Sequence, residues 1–256
     1  MGKKIGKVFK FSVVTLLFVA TAVYMVVAMT NMTTVSPDEV CTKVHINITK
    51  SPKANFMDNF TVVKLLKDAN LYPEGKKLLD VNTREIEKFL CSNEFVRKVD
   101  CYKSASGVFC IDVAQRIPSA YVLPEDGDGY FVDREGAIVS NTIYNSNLVV
   151  VTGQVEKDYV SKKIFPLTNY IQDNPFWDNQ IEQIHVTKEQ NDSLVLSIVP
   201  RVGDHIIRMG TVDDYDKKLK RLKVFYEKAL NVVGWNKYKT INIQYDNQII
   251  CTKHKN

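Results

Sequence analysis

Residues 95–118 read FVRKVDCYKSASGVFCIDVAQRIP, two apolar alternations meeting across one turn. Val99 and Cys101 share one face of a strand over 95–103, and Phe109, Ile111 and Val113 share one face of a strand over 108–114. Joining those faces puts Ser104 opposite Val108 and leaves Ala105-Ser106-Gly107 as the loop, with Gly107 where a three-residue hairpin needs a left-handed residue. In that register Cys101 points into the core and Cys110 points out, which disfavours a bridge between them. Gln115-Arg116-Ile117-Pro118 closes the hairpin, because Pro118 cannot continue a central strand.

Upstream, Val44, Ile46 and Ile48 alternate with His45, Asn47 and Thr49, the pattern of a half-buried strand. Phe56, Phe60, Val63, Leu66 and Ala69 then recur at helical spacing until Tyr72-Pro73-Glu74-Gly75 breaks the run. Asn82 with Glu85 reads as the capping pair of a second helix, with Ile86, Phe89 and Leu90 on its apolar face. Residues 41–114 thus form a strand-helix-helix-strand-strand unit.

Downstream, residues 115–256 carry short β segments punctuated by Gly127, Gly129, Gly136 and Gly153. A helix over 157–173 places Val160, Ile164, Leu167 and Ile171 on one side, with Pro166 limiting or kinking it. Asn174-Pro175-Phe176-Trp177 opens a strand series over 181–187, 194–199 and 205–209. A long amphipathic helix follows over 213–231, with Leu219, Leu222, Phe225 and Ala229 or Leu230 inward. Its acids Asp213, Asp214 and Asp216 lie in the first turn, as the helix dipole favours. The last strand runs over about 239–250, with Ile241, Ile243 and Tyr245 on one face. This pattern describes an antiparallel, β-rich α+β domain.

The N-terminus differs in kind. Residues 11–29, FSVVTLLFVATAVYMVVAM, hold no charged side chain, and as a helix they would extend roughly 28 Å, close to the hydrocarbon thickness of a bilayer. Lys3, Lys4, Lys7 and Lys10 precede this stretch without an acid, so residues 1–10 read as a basic cytoplasmic tail, 11–29 as a transmembrane helix and 30–40 as a linker to an exported body. The run is too long for a signal peptide and Val26–Met29 gives no A-x-A site. The formal charge of +5 comes from 34 basic and 29 acidic residues, and four of the bases are these lysines. The exported body is nearly neutral, without the basic stripe of a nucleic-acid binder.

Chemistry-bearing motifs are missing. The chain has no G-x-S-x-G, H-E-x-x-H, P-loop or G-x-G-x-x-G. Cys41, Cys91, Cys101, Cys110 and Cys251 show no metal-ligand spacing and read mainly as buried free thiols. His45, His185, His205 and His254 are scattered and read as surface histidines. Glu125-Asp126-Gly127-Asp128-Gly129 lacks the spaced ligands of a calcium loop and reads as a hairpin turn. Trp177 and Trp235 read as packing anchors near element ends. No enzyme, metal or cofactor is expected.

The order of parts resembles the bacterial cell-division FtsQ (DivIB) family, with residues 41–114 similar to a POTRA domain. Asp100-Cys101-Tyr102 with Gly107, Ile111-Asp112-Val113 and Gln115-Arg116-Ile117-Pro118 is similar to the POTRA end and its Q-R-x-P exit. Tyr130-Phe131-Val132-Asp133-Arg134-Glu135-Gly136 and Val149-Val150-Val151-Thr152-Gly153 are similar to the family's Y-x-D-x-x-G and V-x-G pair. Trp177 with Ile181 and Ile184, Lys218-Leu219 with Leu222, and Ile241-Asn242-Ile243-Gln244-Tyr245-Asp246 follow in family order. The cytoplasmic tail is very short, and Asn242 stands where many members have Asp.

The resemblance implies a non-enzymatic divisome scaffold in the inner membrane. It would cross once, with its C-terminus in the periplasm, and bind FtsB- and FtsL-type partners at the septum to control septal peptidoglycan synthesis. Ile243, Tyr245, Asn247, Ile249 and Trp235 are the partner-binding candidates it points to, on a terminal strand whose edge no later strand covers. Tyr245 could instead belong to the core. The other reading of a POTRA unit, an envelope export or assembly factor, would call for repeated POTRA units or a β-barrel, and neither pattern is present.

Overall fold

The hairpin closes in the register that its apolar faces require. Ser104 N donates to Val108 O at 2.8 Å, and Gly107 has φ +73°. The computed structural model describes residues 15–27, 38–49, 51, 56–104, 107–140 and 147–254. Two compact units divide the chain: Met1–Asn47 with Val63–Glu87 and Asp100–Asp112, and Ile48–Val62 with Lys88–Val99 and Val113–Asn256.

Residues 15–27 are helical and exposed (α1). No helix among the described residues is long and apolar enough to cross a membrane. The expected span over 11–29 lies partly outside them, as do Lys3, Lys4, Lys7 and Lys10.

The next elements are β1 (Lys43–Ile48), α2 (Asn59–Asp68), α3 (Thr83–Cys91), β2 (Val96–Lys103) and β3 (Val108–Gln115), and the three strands form a sheet ordered β1-β3-β2. The two helices start where side chains can satisfy free N–H groups. Asp58 Oδ1 accepts from Thr61 N at 2.7 Å, and Asn82 Oδ1 accepts from Glu85 N at 3.3 Å. In α2 the buried residues are Val62 and Leu66, while Phe60, expected inside, is exposed. Cys110 also corrects the sequence reading, since it is only 8% exposed. It lies on the face opposite Phe109 and Ile111, but β3 is the central strand, so a small side chain there is covered by longer neighbours such as Tyr102.

The larger sheet has nine strands: β4 (Pro118–Pro124), β5 (Tyr130–Asp133), β6 (Ile138–Ser140), β7 (Val149–Gly153), β8 (Ile181–Lys188), β9 (Leu194–Pro200), β10 (Ile206–Gly210), β11 (Tyr238–Asn242) and β12 (Ile250–Lys253). Their order is β12-β11-β10-β9-β8-β7-β4-β5-β6. The sheet is mixed rather than antiparallel: β4–β7, β7–β8 and β10–β11 run parallel. For β7–β8 and β10–β11 a helical crossover returns the chain in the same direction, whereas β4 and β7 are joined through β5 and β6. From β7 to β8 the chain passes through α4 (Lys157–Tyr159), a π-helical turn Val160–Ile164, α5 (Phe165–Asp173) and α6 (Pro175–Gln180). From β10 to β11 it passes through α7 (Tyr215–Phe225), a second π turn Tyr226–Leu230 and α8 (Asn231–Val233).

Pro166 accounts for the first π turn. It has no N–H to close an α-turn, and the helix widens just before it, with Phe165 N donating to Val160 O five residues back. Val160, Ile164, Leu167 and Ile171 are fully buried and join Leu219, Leu222, Tyr226 and Leu230 against one face of the sheet. Tyr226 rather than Phe225 takes the inward position. The segment from Asn174, read as the start of a strand series, first makes the short helix α6, whose Phe176 N donates to Asn174 Oδ1.

Candidate partner-docking edge

The segment expected to be one terminal strand is two. β11 stops at Asn242, the chain turns over 243–249, and β12 returns antiparallel with Asn242 opposite Ile250, Ile241 opposite Cys251 and Thr240 opposite Thr252. β11 is therefore paired on both sides, and the sheet edge belongs to Ile250–Lys253. This strand was hidden in the sequence because an edge strand over one face has a single residue to bury. Here that residue is Cys251, packed on the core opposite Ile241, and its thiol pKa is raised by burial. Ile250 is 46% exposed on the other face, and Thr252 and Lys253 are exposed beside it.

The candidate residues separate into two groups. Ile243 is fully buried, and its N–H donates to Arg208 O at 2.9 Å. Ile249 and Trp235 are partly buried against the core, and the Trp235 ring meets Tyr226 edge-on at 5.0 Å. Tyr245 is 45% exposed and lies in the turn, off the core face that the strand reading gave it. Asn247 has φ +59°, a left-handed conformation that Asn tolerates at a turn. Tyr245 and Ile250 thus present apolar surface to solvent beside a strand that pairs on one side only among the described residues, while Ile243, Ile249 and Trp235 pack beneath.

Arg221 of α7 fixes the turn. Its Nη2 donates to Ile243 O at 2.7 Å and to Tyr245 O at 2.8 Å. Asn242 Oδ1 accepts from Gln244 N at 3.0 Å, which starts the reversal. Gly210 lies under it with φ +72°, where an added Cβ would come within 2.8 Å of Gln244 Cβ. Lys218 is buried, donates to Thr211 O at 2.8 Å, and has its pKa lowered chiefly by desolvation. Below them His205, expected at the surface, is buried under Gly203, and its Nε2 lies 2.8 Å from the Tyr226 hydroxyl. His185 is half-buried and bonds Thr152 Oγ1 through Nδ1 at 2.9 Å.

Residues 117–252 match the model described as FtsQ/DivIB, C-terminal related. The chain belongs to the FtsQ/DivIB-related family. Residues 39–114 match a POTRA-like domain. No curated protein matches the chain closely. The family is one of non-enzymatic, division-associated scaffolds that act through protein–protein contacts. All five cysteines are free thiols, with Cys41 and Cys110 buried. Among the described residues no cluster of His, Cys, Asp and Glu is placed to hold a metal.

Proposed function

We propose that this chain is a divisome scaffold, anchored once in the inner membrane with its C-terminal domains in the periplasm, that recruits FtsB- and FtsL-type partners to the septum through β12. The carrying observation is the edge: Ile250–Lys253 pairs on one side with β11 and ends the sheet order. Its unpaired N–H and C=O groups can accept a partner strand, with Tyr245 and Ile250 supplying apolar contact and specificity. Through those partners the scaffold would influence septal peptidoglycan synthesis. The charge-free stretch 11–29 after four lysines supports the anchor and its orientation.

The test is pulldown of an FtsB-type partner by full-length protein carrying Ile250→Asp or Tyr245→Ala. Both side chains are substantially exposed, so thermal unfolding should shift little while partner capture falls at least tenfold. Capture at wild-type level by Ile250→Asp would remove β12 as the docking edge.

A further inference from the structure

Outside the carboxyl ends of three adjacent parallel strands, β4, β7 and β8, lies a cleft of about 940 Å³. In mixed and parallel sheets that position is where ligands collect, because the loops leaving the strands diverge there. The volume suits a small molecule or a short peptide. The cleft is far along the sheet order from the β12 edge and takes no part in strand addition.

Its lining carries both signs of charge. The β4–β5 loop supplies Glu125, Asp126 and Asp128, all exposed and without a salt bridge among the described residues. The segments after β7 and β8 supply Lys157, Lys162, Lys163 and Lys188, together with Glu156, Asp158 and Asp192. Lys162 pairs with Asp158 at 2.6 Å and Lys188 with Asp192 at 2.9 Å, and Lys163 has no carboxylate partner among the described residues. Lys157 Nζ lies 5.4 Å from the centre of the Tyr130 ring.

Tyr130 is the second, independent observation. It lines the cleft, is 4% exposed, and its hydroxyl is buried without a hydrogen-bond partner among the described residues. An orphaned buried hydroxyl destabilises the protein that holds it, because it gives up water for nothing. A tyrosine kept for packing alone would serve as well as phenylalanine, and the hydroxyl can meet a ligand in the cleft once the Lys157 side chain beside the ring moves.

We infer that this cleft is a binding site for a small zwitterion of the amino-acid or short-peptide class. The ligand's ammonium faces Glu125, Asp126 and Asp128. Its carboxylate faces Lys157 and Lys163, drawing the Lys157 ammonium aside and accepting a hydrogen bond from the Tyr130 hydroxyl. No bond is made or broken, and the site is a receptor.

The probe is the unblocked tripeptide Ala-Ala-Ala, titrated by calorimetry into the full chain in detergent, beside its N-acetylated, C-amidated form. The unblocked peptide should bind saturably and the blocked form at least tenfold more weakly. Tyr130→Phe should raise the Tm of the free protein yet weaken tripeptide binding several-fold. Lys163→Glu should weaken binding without lowering the Tm. FtsB-type capture should be unchanged in both variants, which separates failure here from failure of the β12 edge. No saturable binding, equal binding of the blocked peptide, or a Tyr130→Phe variant with lower Tm or full affinity would overturn the inference.

Discussion

Two buried polar residues give this fold its sharpest residue-scale expectations. Asp133, at the end of β5, accepts from Glu135 N at 2.9 Å and Ala137 N at 2.7 Å through Oδ1, and from Arg116 Nη1 at 2.7 Å through Oδ2. Its side chain is almost wholly buried, so Asp133→Ala strands two N–H groups and a guanidinium at once. The expected cost is about 3 kcal/mol, read as a lower urea midpoint. His205 acts through pH. Burial pushes its imidazole pKa below the ordinary 6.5, against smaller opposing pulls from the Trp235 carbonyl and Asp204. Below pH 6.5 the unfolded chain therefore binds a proton that the folded chain refuses, so stability falls as pH falls through that window. The wild-type urea midpoint should drop between about pH 7.5 and about pH 5.5, at no more than ~1.4 kcal/mol per pH unit from this one proton. His205→Gln should show a flatter dependence. Parallel curves for the two proteins would assign the pH effect to other groups.

At the scale of elements, the C-terminal turn hangs on α7 through one guanidinium. Arg221→Ala leaves the carbonyls of Ile243 and Tyr245 without that donor, and Ile243 is buried. The turn should loosen and β12 with it. Hydrogen exchange at residues 250–253 should accelerate at least tenfold while β8 and β9 keep their protection, and partner capture should weaken in step. Unchanged exchange at 250–253 would mean that β12 is held by its pairing with β11 alone. The same region marks the limit of sequence reading. The hairpin at 104–108 and the inward set Val160, Ile164, Leu167 and Ile171 were legible, because two faces of apolar residues admit one register. β12 was not, because Cys-Thr-Lys at 251–253 buries a single side chain and periodicity needs several. The parallel pairings β7–β8 and β10–β11 were equally hidden, being fixed by where two helical crossovers return the chain and by no local pattern. In α7 and its π turn, Phe225 and Tyr226 both lie within reach of the inner face from Leu222. Tyr226 takes it, with its hydroxyl against His205, a partner distant in sequence.

At the scale of the whole molecule, four of the five units of net positive charge sit in the first ten residues. Four of the 34 bases are Lys3, Lys4, Lys7 and Lys10, and no acid precedes Asp38. A uniformly basic body would attract anionic partners through its surface. On the docking proposed above, a nearly neutral body behind four clustered lysines would leave partner choice to strand edges and apolar contacts. If those lysines orient the charge-free stretch 11–29, their role is separable from everything beyond it. Replacing all four with Glu should then leave the folding of the exported domains intact and change the side of the membrane on which they lie. A phosphatase that is active only after export, fused behind Asn256, reads this directly. The wild-type fusion should be active, and the four-Glu variant should lose most of that activity at equal protein level. Its domains should become resistant to protease added outside spheroplasts. Equal phosphatase activity in the two fusions would show that length and hydrophobicity alone set the orientation, and the basic tail would then need another role.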